Sequence, residues 1–208
     1  MLLSQQAGGK VSALTDLHQE IARCQECELA KHRTRVVPGE GRENADILFI
    51  GEAPGWYEDQ QGRPFVGPAG KFLEELLASI GMRREEVFIG NVLKCRPPTN
   101  RDPLPVEIKT CQKWLDRQIE LIHPKIIVTL GRYSMARFFP GETIGKIHGK
   151  AHKTGGVTHY AMYHPAAALH QQSLRQVIEA DMLKIPSLLE EVQESPEAEQ
   201  QPQQLSMF

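Results

Sequence analysis

The only thiols of the chain are Cys24, Cys27, Cys95 and Cys111, spaced as a C-x2-C pair followed at a distance by a C-x15-C pair. Four thiolates in that pattern can converge on one iron–sulfur cluster or on one tetrahedral zinc. The competing reading is a pair of disulfides or four scattered buried cysteines. No secretory signal precedes them, because MLLSQQAGGK lacks a basic stretch followed by an apolar one and reads as a frayed lead-in. A reducing, intracellular setting is therefore expected, and it disfavours disulfides.

A second set of chemically capable residues falls just after apolar runs. Gly51-Glu52-Ala53-Pro54-Gly55 follows Ile47–Ile50, Gly90-Asn91 follows Val87–Ile89, Gly131-Arg132 follows Ile126–Leu130, and His164-Pro165 follows Tyr160–Tyr163. One carboxylate, one amide and one imidazole are a set suited to acid–base and hydrogen-bonding work. Singly each has a plain structural reading: the glycine/proline turn as a turn, the asparagine as a backbone partner, the histidine as a packed residue. Their joint placement at successive run ends is harder to dismiss. The glycines of GEAPG match neither the phosphate-cradling loop nor the dinucleotide fingerprint, which argues against a nucleotide cofactor.

The elements that must position these residues are short strands alternating with helical patterns. Such alternation predicts an α/β fold, a three-layer α/β/α sandwich around a mostly parallel four-stranded sheet. In open parallel sheets ligands sit beyond the carboxyl ends of the strands, so the four run ends would share one rim. Ile108, Cys111, Leu115, Ile119 and Ile122 recur at helical spacing and place Cys111 on the inward face of a helix. Leu14, Leu17 and Ile21 predict another amphipathic helix running into the Cys24/Cys27 loop. A long loop is expected from Trp56 to Pro68, with Phe65 in it either as a core plug or as a stacking platform for a planar ligand. A second loop, Lys94–Arg101, carries Arg96 and Arg101 as a phosphate-contacting edge.

The 208 residues are 40% hydrophobic, enough for one packed domain, with no run long enough to span a bilayer. The formal charge of -2 conceals an asymmetry. Five of the 26 acidic residues, Glu190, Glu191, Glu194, Glu197 and Glu199, lie beyond the last lysine, Lys184, so the body that remains is mildly basic. Residues 1–189 are read as the folded domain. Residues 190–208, rich in Glu, Gln, Pro and Ser, are read as a disordered tail.

Four stretches, TRVVPGEGRENADILFIGEAPGWYED, GRPFVGPAGKFLEELL, FIGNVLKCRPPTNRDP and HPAA, together with the cysteine spacing, resemble the family 4 uracil-DNA glycosylases, the iron–sulfur branch of that superfamily. The likeness runs over roughly residues 20 to 185. It implies hydrolysis of the N-glycosidic bond of deoxyuridine in double- or single-stranded DNA, opening base excision repair, and a [4Fe–4S] cluster held by Cys24, Cys27, Cys95 and Cys111. It also implies that Phe65 stacks on the flipped uracil, Asn91 reads its edge, His164 contacts O2 and Glu52 positions or activates water. Ala53 stands beside them where the best-known branch of the superfamily has Asp, so water must be handled differently here. Leu169, in the segment after HPAA, is the candidate wedge into the duplex. His148 falls where an offshoot of the family, UdgX, has a histidine that bonds to the sugar of the abasic product; the GKIH and GEAPG sequences differ from that offshoot, and a DNA-backbone or structural role is expected. His152 and His159 are expected at the surface.

Two other readings compete: a clamp-tethered lesion sensor without turnover, and a small iron–sulfur electron carrier, which would leave GEAPG and HPAA unexplained. The tail ends in Gln204-Leu205-Ser206-Met207-Phe208, similar to the peptide that docks on the bacterial replication sliding clamp. The expected protein is a soluble, cytoplasmic, nucleoid-associated monomer of a bacterium.

Overall fold

The computed structural model describes residues 12–194. The lead-in before Ser12 and the peptide Gln204–Phe208 lie outside them. Six strands form one sheet: β1 (Glu40–Gly41), β2 (Ile47–Gly51), β3 (Phe88–Asn91), β4 (Ile126–Leu130), β5 (Ala151–Thr154) and β6 (Val157–Met162), in the order β1-β3-β2-β4-β6-β5. The inner four, β3-β2-β4-β6, are parallel, and β1 and β5 add antiparallel edges. The expected four-stranded sheet is thus the central part of a six-stranded one. The edge strands escape a hydrophobicity reading for a physical reason: β1 has two residues and no large apolar side chain, and all four residues of β5 are exposed.

Nine α-helices are seen among the described residues: α1 (Ala13–Arg23), α2 (Trp56–Gln61), α3 (Pro68–Ser79), α4 (Pro105–Ile122), α5 (Arg132–Phe138), α6 (Ile144–Ile147), α7 (Pro165–His170), α8 (Ser173–Met182) and α9 (Ile185–Glu194). None is long and apolar enough to cross a membrane. Every residue of β2 and β4 is buried, because helices cover both faces and leave no side free for polar alternation. On one face Ile47, Phe49, Val128 and Tyr160 pack with Phe72, Leu73 and Leu76 of α3 and Ile178 and Met182 of α8. On the other, Leu48, Ile50, Phe88 and Ile127 pack with Leu14, Leu17 and Ile21 of α1 and Cys111, Trp114 and Leu115 of α4. Both helical stripes read from the sequence face inward as expected. Helix α9 runs to Glu194, with Val192 against the first of these cores.

The connection after β2 packs α3 on one face, and the connection after β3 packs α4 on the other. Chains that leave adjacent parallel strands toward opposite faces open a crevice between them. That crevice holds the residues described next.

Candidate active site

A cavity of about 240 Å³ opens at the carboxyl ends of the parallel strands, lined by Glu52, Ala53, Phe65, Asn91, Arg101 and His164 among others. It is below the roughly 300–1,000 Å³ of sites that enclose drug-sized ligands. A wider groove of about 510 Å³ between α4 and α5, walled chiefly by Val92, Ile108, Leu115, Tyr133 and Phe138, contains none of the strand-end carboxylate, amide or imidazole.

Asn91 ends β3 opposite Gly51 of β2 and is 2% exposed. Its Oδ1 is buried without a hydrogen-bond donor. A buried acceptor left unpaired costs about 1–3 kcal/mol, and the residue that carries it lines the cavity. Gly51 is required here, since a Cβ on it would come within 2.7 Å of the Phe65 ring and closer still to Asn91 Oδ1.

His164 caps α7: the backbone N–H of Ala166 donates to its Nδ1 at 3.1 Å. A ring nitrogen that accepts carries no proton, so the neutral imidazole has its proton on Nε2. Desolvation holds this histidine down at about 4, with Glu58 opposing the shift. It is therefore a neutral N–H donor at pH 7. The Phe65 and His164 rings stack with centroids 5.5 Å apart and planes at 26°.

Glu52 follows β2 and is half-buried. Burial pushes its carboxyl up to about 6; Asp102 adds to the rise and Arg132 opposes it. A carboxylate poised near neutrality suits proton acceptance from water.

Phe65 has φ +50°, a left-handed backbone that costs an aromatic residue about 1–2 kcal/mol. Three groups hold it there. Arg84, 7% exposed, donates to the carbonyls of Phe65 (2.8 Å) and Pro64. Glu58 Oε1 accepts from the N–H groups of Val66 and Gly67, both at 2.9 Å, and its Oε2 from Gly55 at 3.1 Å, tying the Phe65 loop to the GEAPG turn. Gly70 lets α3 pass so close that a Cβ would overlap the Phe65 carbonyl. Half of the segment expected as a loop is consequently helix α2, which Glu58 caps three residues after Gly55.

The four cysteines are free thiols lining a second, small cavity with Ile21, Arg33, Lys94 and Trp114. Among the described residues no three His, Cys, Asp or Glu side chains close on a single ion. One zinc would draw four sulfurs to about 3.8 Å of each other. The four thiols share one cavity without that closure. Two N–H groups point at sulfur, Arg33 Nη1 at Cys95 (3.1 Å) and the Lys94 amide at Cys111 (3.3 Å), donors that favour the thiolate form. Burial raises the Cys95 thiol and pushes Cys111 up to about 11, so metal must displace protons to bind.

The model of the uracil DNA glycosylase superfamily matches residues 38–184. The chain belongs to that superfamily. Its relatives include proteins called type-4 uracil-DNA glycosylases: one from Archaeoglobus fulgidus, 48% identical over 86% of this chain and 94% of its own length; one from Sulfurisphaera tokodaii, 48% identical over 86% of each; and one from Saccharolobus solfataricus, 49% identical over 82% of this chain and 83% of its own. The superfamily match begins after Cys24 and Cys27, so half of the thiol set lies outside it.

Within this member of the superfamily the remaining expected residues are placed as follows. Arg101 lines the cavity with its guanidinium paired to the buried Glu107 at 2.5 and 2.9 Å, and half-buried Arg96 donates to Asn100 Oδ1 at 2.7 Å. Leu169 of α7 is 49% exposed. His148 Nδ1 lies 2.7 Å from the buried carboxylate of Asp181, and its ring is 4.8 Å from that of Tyr163. His152 is exposed as expected, but His159 is buried, its ring 4.7 Å from Phe138. Both faces of β6 are covered, which a histidine's polarity does not disclose. Glu58 and Arg84 were not anticipated from sequence. The G-x-x-E spacing of Gly55 and Glu58 was a usable capping signal; for Arg84, whose carbonyl partners are about 20 residues away, there was no local one.

Proposed function

We propose that this enzyme flips deoxyuridine out of DNA and hydrolyses its N-glycosidic bond, the first step of base excision repair. The observation that carries the reading is the buried, donorless Oδ1 of Asn91, a residue that lines the strand-end cavity with Phe65 and His164. Uracil N3–H would donate to that oxygen while uracil O4 accepts from the amide nitrogen; cytosine would set its N4–H2 against that donor. Stacking on Phe65 would return roughly 1–3 kcal/mol of the few kcal/mol that base extrusion costs. As the C1′–N1 bond breaks, its electron pair moves onto the base, and the neutral Nε2–H of His164 stabilises the charge developing at O2. Glu52 orients the water whose oxygen joins C1′ and takes up its proton. Ala53 leaves that task to Glu52 alone on this turn.

Cys24, Cys27, Cys95 and Cys111 would hold a [4Fe–4S] cluster. Such a cluster supplies a structural cross-link between α1, the loop after β3 and α4. Arg96, Arg101 and His148 are assigned to the DNA-facing edge and Leu169 to the space vacated by the base. The Gln204–Phe208 peptide is assigned to a bacterial sliding clamp; its deletion should abolish co-elution with the clamp and leave activity on a short oligonucleotide intact.

The deciding experiment incubates the purified protein with a uracil-containing oligonucleotide and cleaves abasic sites with alkali. Strand scission that depends on uracil is expected. A lesion sensor would bind without scission, and a protein that bonds to its abasic product would appear as a retarded species on a denaturing gel; either outcome overturns hydrolytic turnover.

A further inference from the structure

The rim of the cavity carries two large aromatic side chains that the base pocket does not use. Trp56 and Tyr57, the first residues of α2, are 51% and 49% exposed and meet edge to face with centroids 5.1 Å apart. Gly55 before them and Glu58 after them both line the cavity. The Tyr57 ring packs on the backbone of Gly67, where a Cβ would come within 3.0 Å of it, so the pair is anchored to the loop that presents Phe65. We infer that Trp56 and Tyr57 form a stacking platform for a nucleobase that neighbours the flipped deoxyuridine, with Arg35 holding the adjoining phosphate.

This inference rests on the glycosylase reading and concerns what lies outside the pocket. In that reading only the flipped base enters the cavity, so the nucleotides on either side must pass over its rim. The edge-to-face contact leaves ring face open, and exposed aromatic faces are what single-stranded nucleic acid binds without regard to sequence. The local charge agrees. The sequence of α2, WYEDQQ, looks acidic, yet both carboxylates are turned inward: Glu58 accepts three backbone N–H groups, and Asp59, 2% exposed, accepts from Thr34 N at 2.9 Å. At the far end of the helix the side chain of Arg35 lies against Gly62, where a Cβ would be 3.6 Å from its Cδ. Arg35 is exposed, and no carboxylate among the described residues pairs with it. Six helical residues span about 9 Å, which puts the aromatic pair and the free guanidinium within one or two nucleotides of each other along a strand.

The test measures binding by fluorescence anisotropy and excision under single-turnover conditions. The DNA is a single-stranded oligonucleotide with a central deoxyuridine, and two versions replace the 5′ or the 3′ neighbour with a tetrahydrofuran abasic analogue. Trp56→Ala/Tyr57→Ala should weaken binding about tenfold on the intact strand. The gap between variant and wild type should close on one of the two abasic-flanked strands, which identifies the side that stacks. Trp56→Phe should restore most of the loss, and Arg35→Gln should flatten the salt dependence of binding by about one phosphate contact. Equal losses on all three strands, or none on the intact one, would overturn the inference. Because binding is read separately, absence of excision by the wild type would count against the glycosylase reading and not against the platform.

Discussion

The base cavity and the cysteine cavity share one short segment of chain, Asn91–Cys95, and treat polar groups in opposite ways. At one end of the segment Asn91 Oδ1 has no partner, Phe65 sits in a left-handed backbone, and Glu52 and His164 are displaced from their ordinary ionisation. At the other end the sulfurs of Cys95 and Cys111 each have an N–H donor. Between them the buried Lys94 ammonium donates to the Asn91 carbonyl (2.8 Å) and to Gln118 (2.6 Å). Between these two cavities, the unpaired acceptor lies on the side proposed to take a substrate, and the paired sulfurs lie on the side proposed as framework. The contrast predicts that variants of one cavity change turnover, and variants of the other change folding.

The largest effect should come from the framework side. Cys111→Ala would remove one of the four tethers of the proposed cluster, whose binding would be coupled to folding, and it should sharply reduce folded, iron-containing protein. Iron content and the thermal melting temperature read this directly. The folded fraction that survives should excise uracil at close to the wild-type rate per molecule. If rate per folded molecule fell a hundredfold with the melting temperature unchanged, the division between the two cavities would be wrong.

On the pocket side, His164→Ala should lower turnover by about 10²–10³, as loss of one positioned donor does elsewhere, with DNA affinity nearly unchanged. The pH profile separates the two titrating groups. In the proposed role Glu52 would have to be ionised to accept a proton, so kcat/KM should rise with pH and level off above about 6, while His164, neutral above about 4, adds no limb between 5 and 8. The stability effect of Glu52 has the opposite sign. Its folded pKa lies above its unfolded one, so the native state binds the proton more tightly, and stability is lost as pH rises from about 4.5 through 6. Glu52→Gln should remove the acid limb, reduce turnover and raise the melting temperature above pH 6. A limb that persists in Glu52→Gln would assign it to another group.

Much of this contrast was legible in the chain. The cysteine spacing, the four buried parallel strands and the strand-end positions of Glu52, Asn91 and His164 follow from apolar patterning and local residue type, which a linear reading captures. The edge strands were missed because β5 exposes every side chain and so carries no apolar signal. The protonation state of His164 stays open in the sequence because it depends on an N–H two residues on pointing at Nδ1, which is geometry rather than composition. Arg84 was missed because its partners, the carbonyls of Pro64 and Phe65, are backbone groups far away in sequence.

Arg84 also gives the smallest and most discriminating prediction. It belongs by burial to the framework, yet it acts on the pocket by holding the peptide of a strained residue. Its charge partners Glu40 and Glu74 are secondary: Glu40 is held by Arg63 through two bonds of 2.7 Å, and Glu74 is more than half exposed. Arg84→Met should therefore leave the fold largely intact while loosening, with Glu58 and Gly70 still in place, the hold on the left-handed backbone of Phe65, lowering kcat/KM about tenfold. That loss is bounded by what stacking on Phe65 contributes, roughly 1–3 kcal/mol. A double-mutant cycle tests the route. If Arg84 works only through the platform, adding Arg84→Met to Phe65→Ala costs nothing further, because the group it positions is already gone. Arg84→Lys, which keeps the charge but not the planar fork that reaches two carbonyls at once, should fall between wild type and Arg84→Met. Additive losses in the cycle would mean that Arg84 supports the fold at large, and that the boundary between framework and pocket does not run through the Phe65 carbonyl.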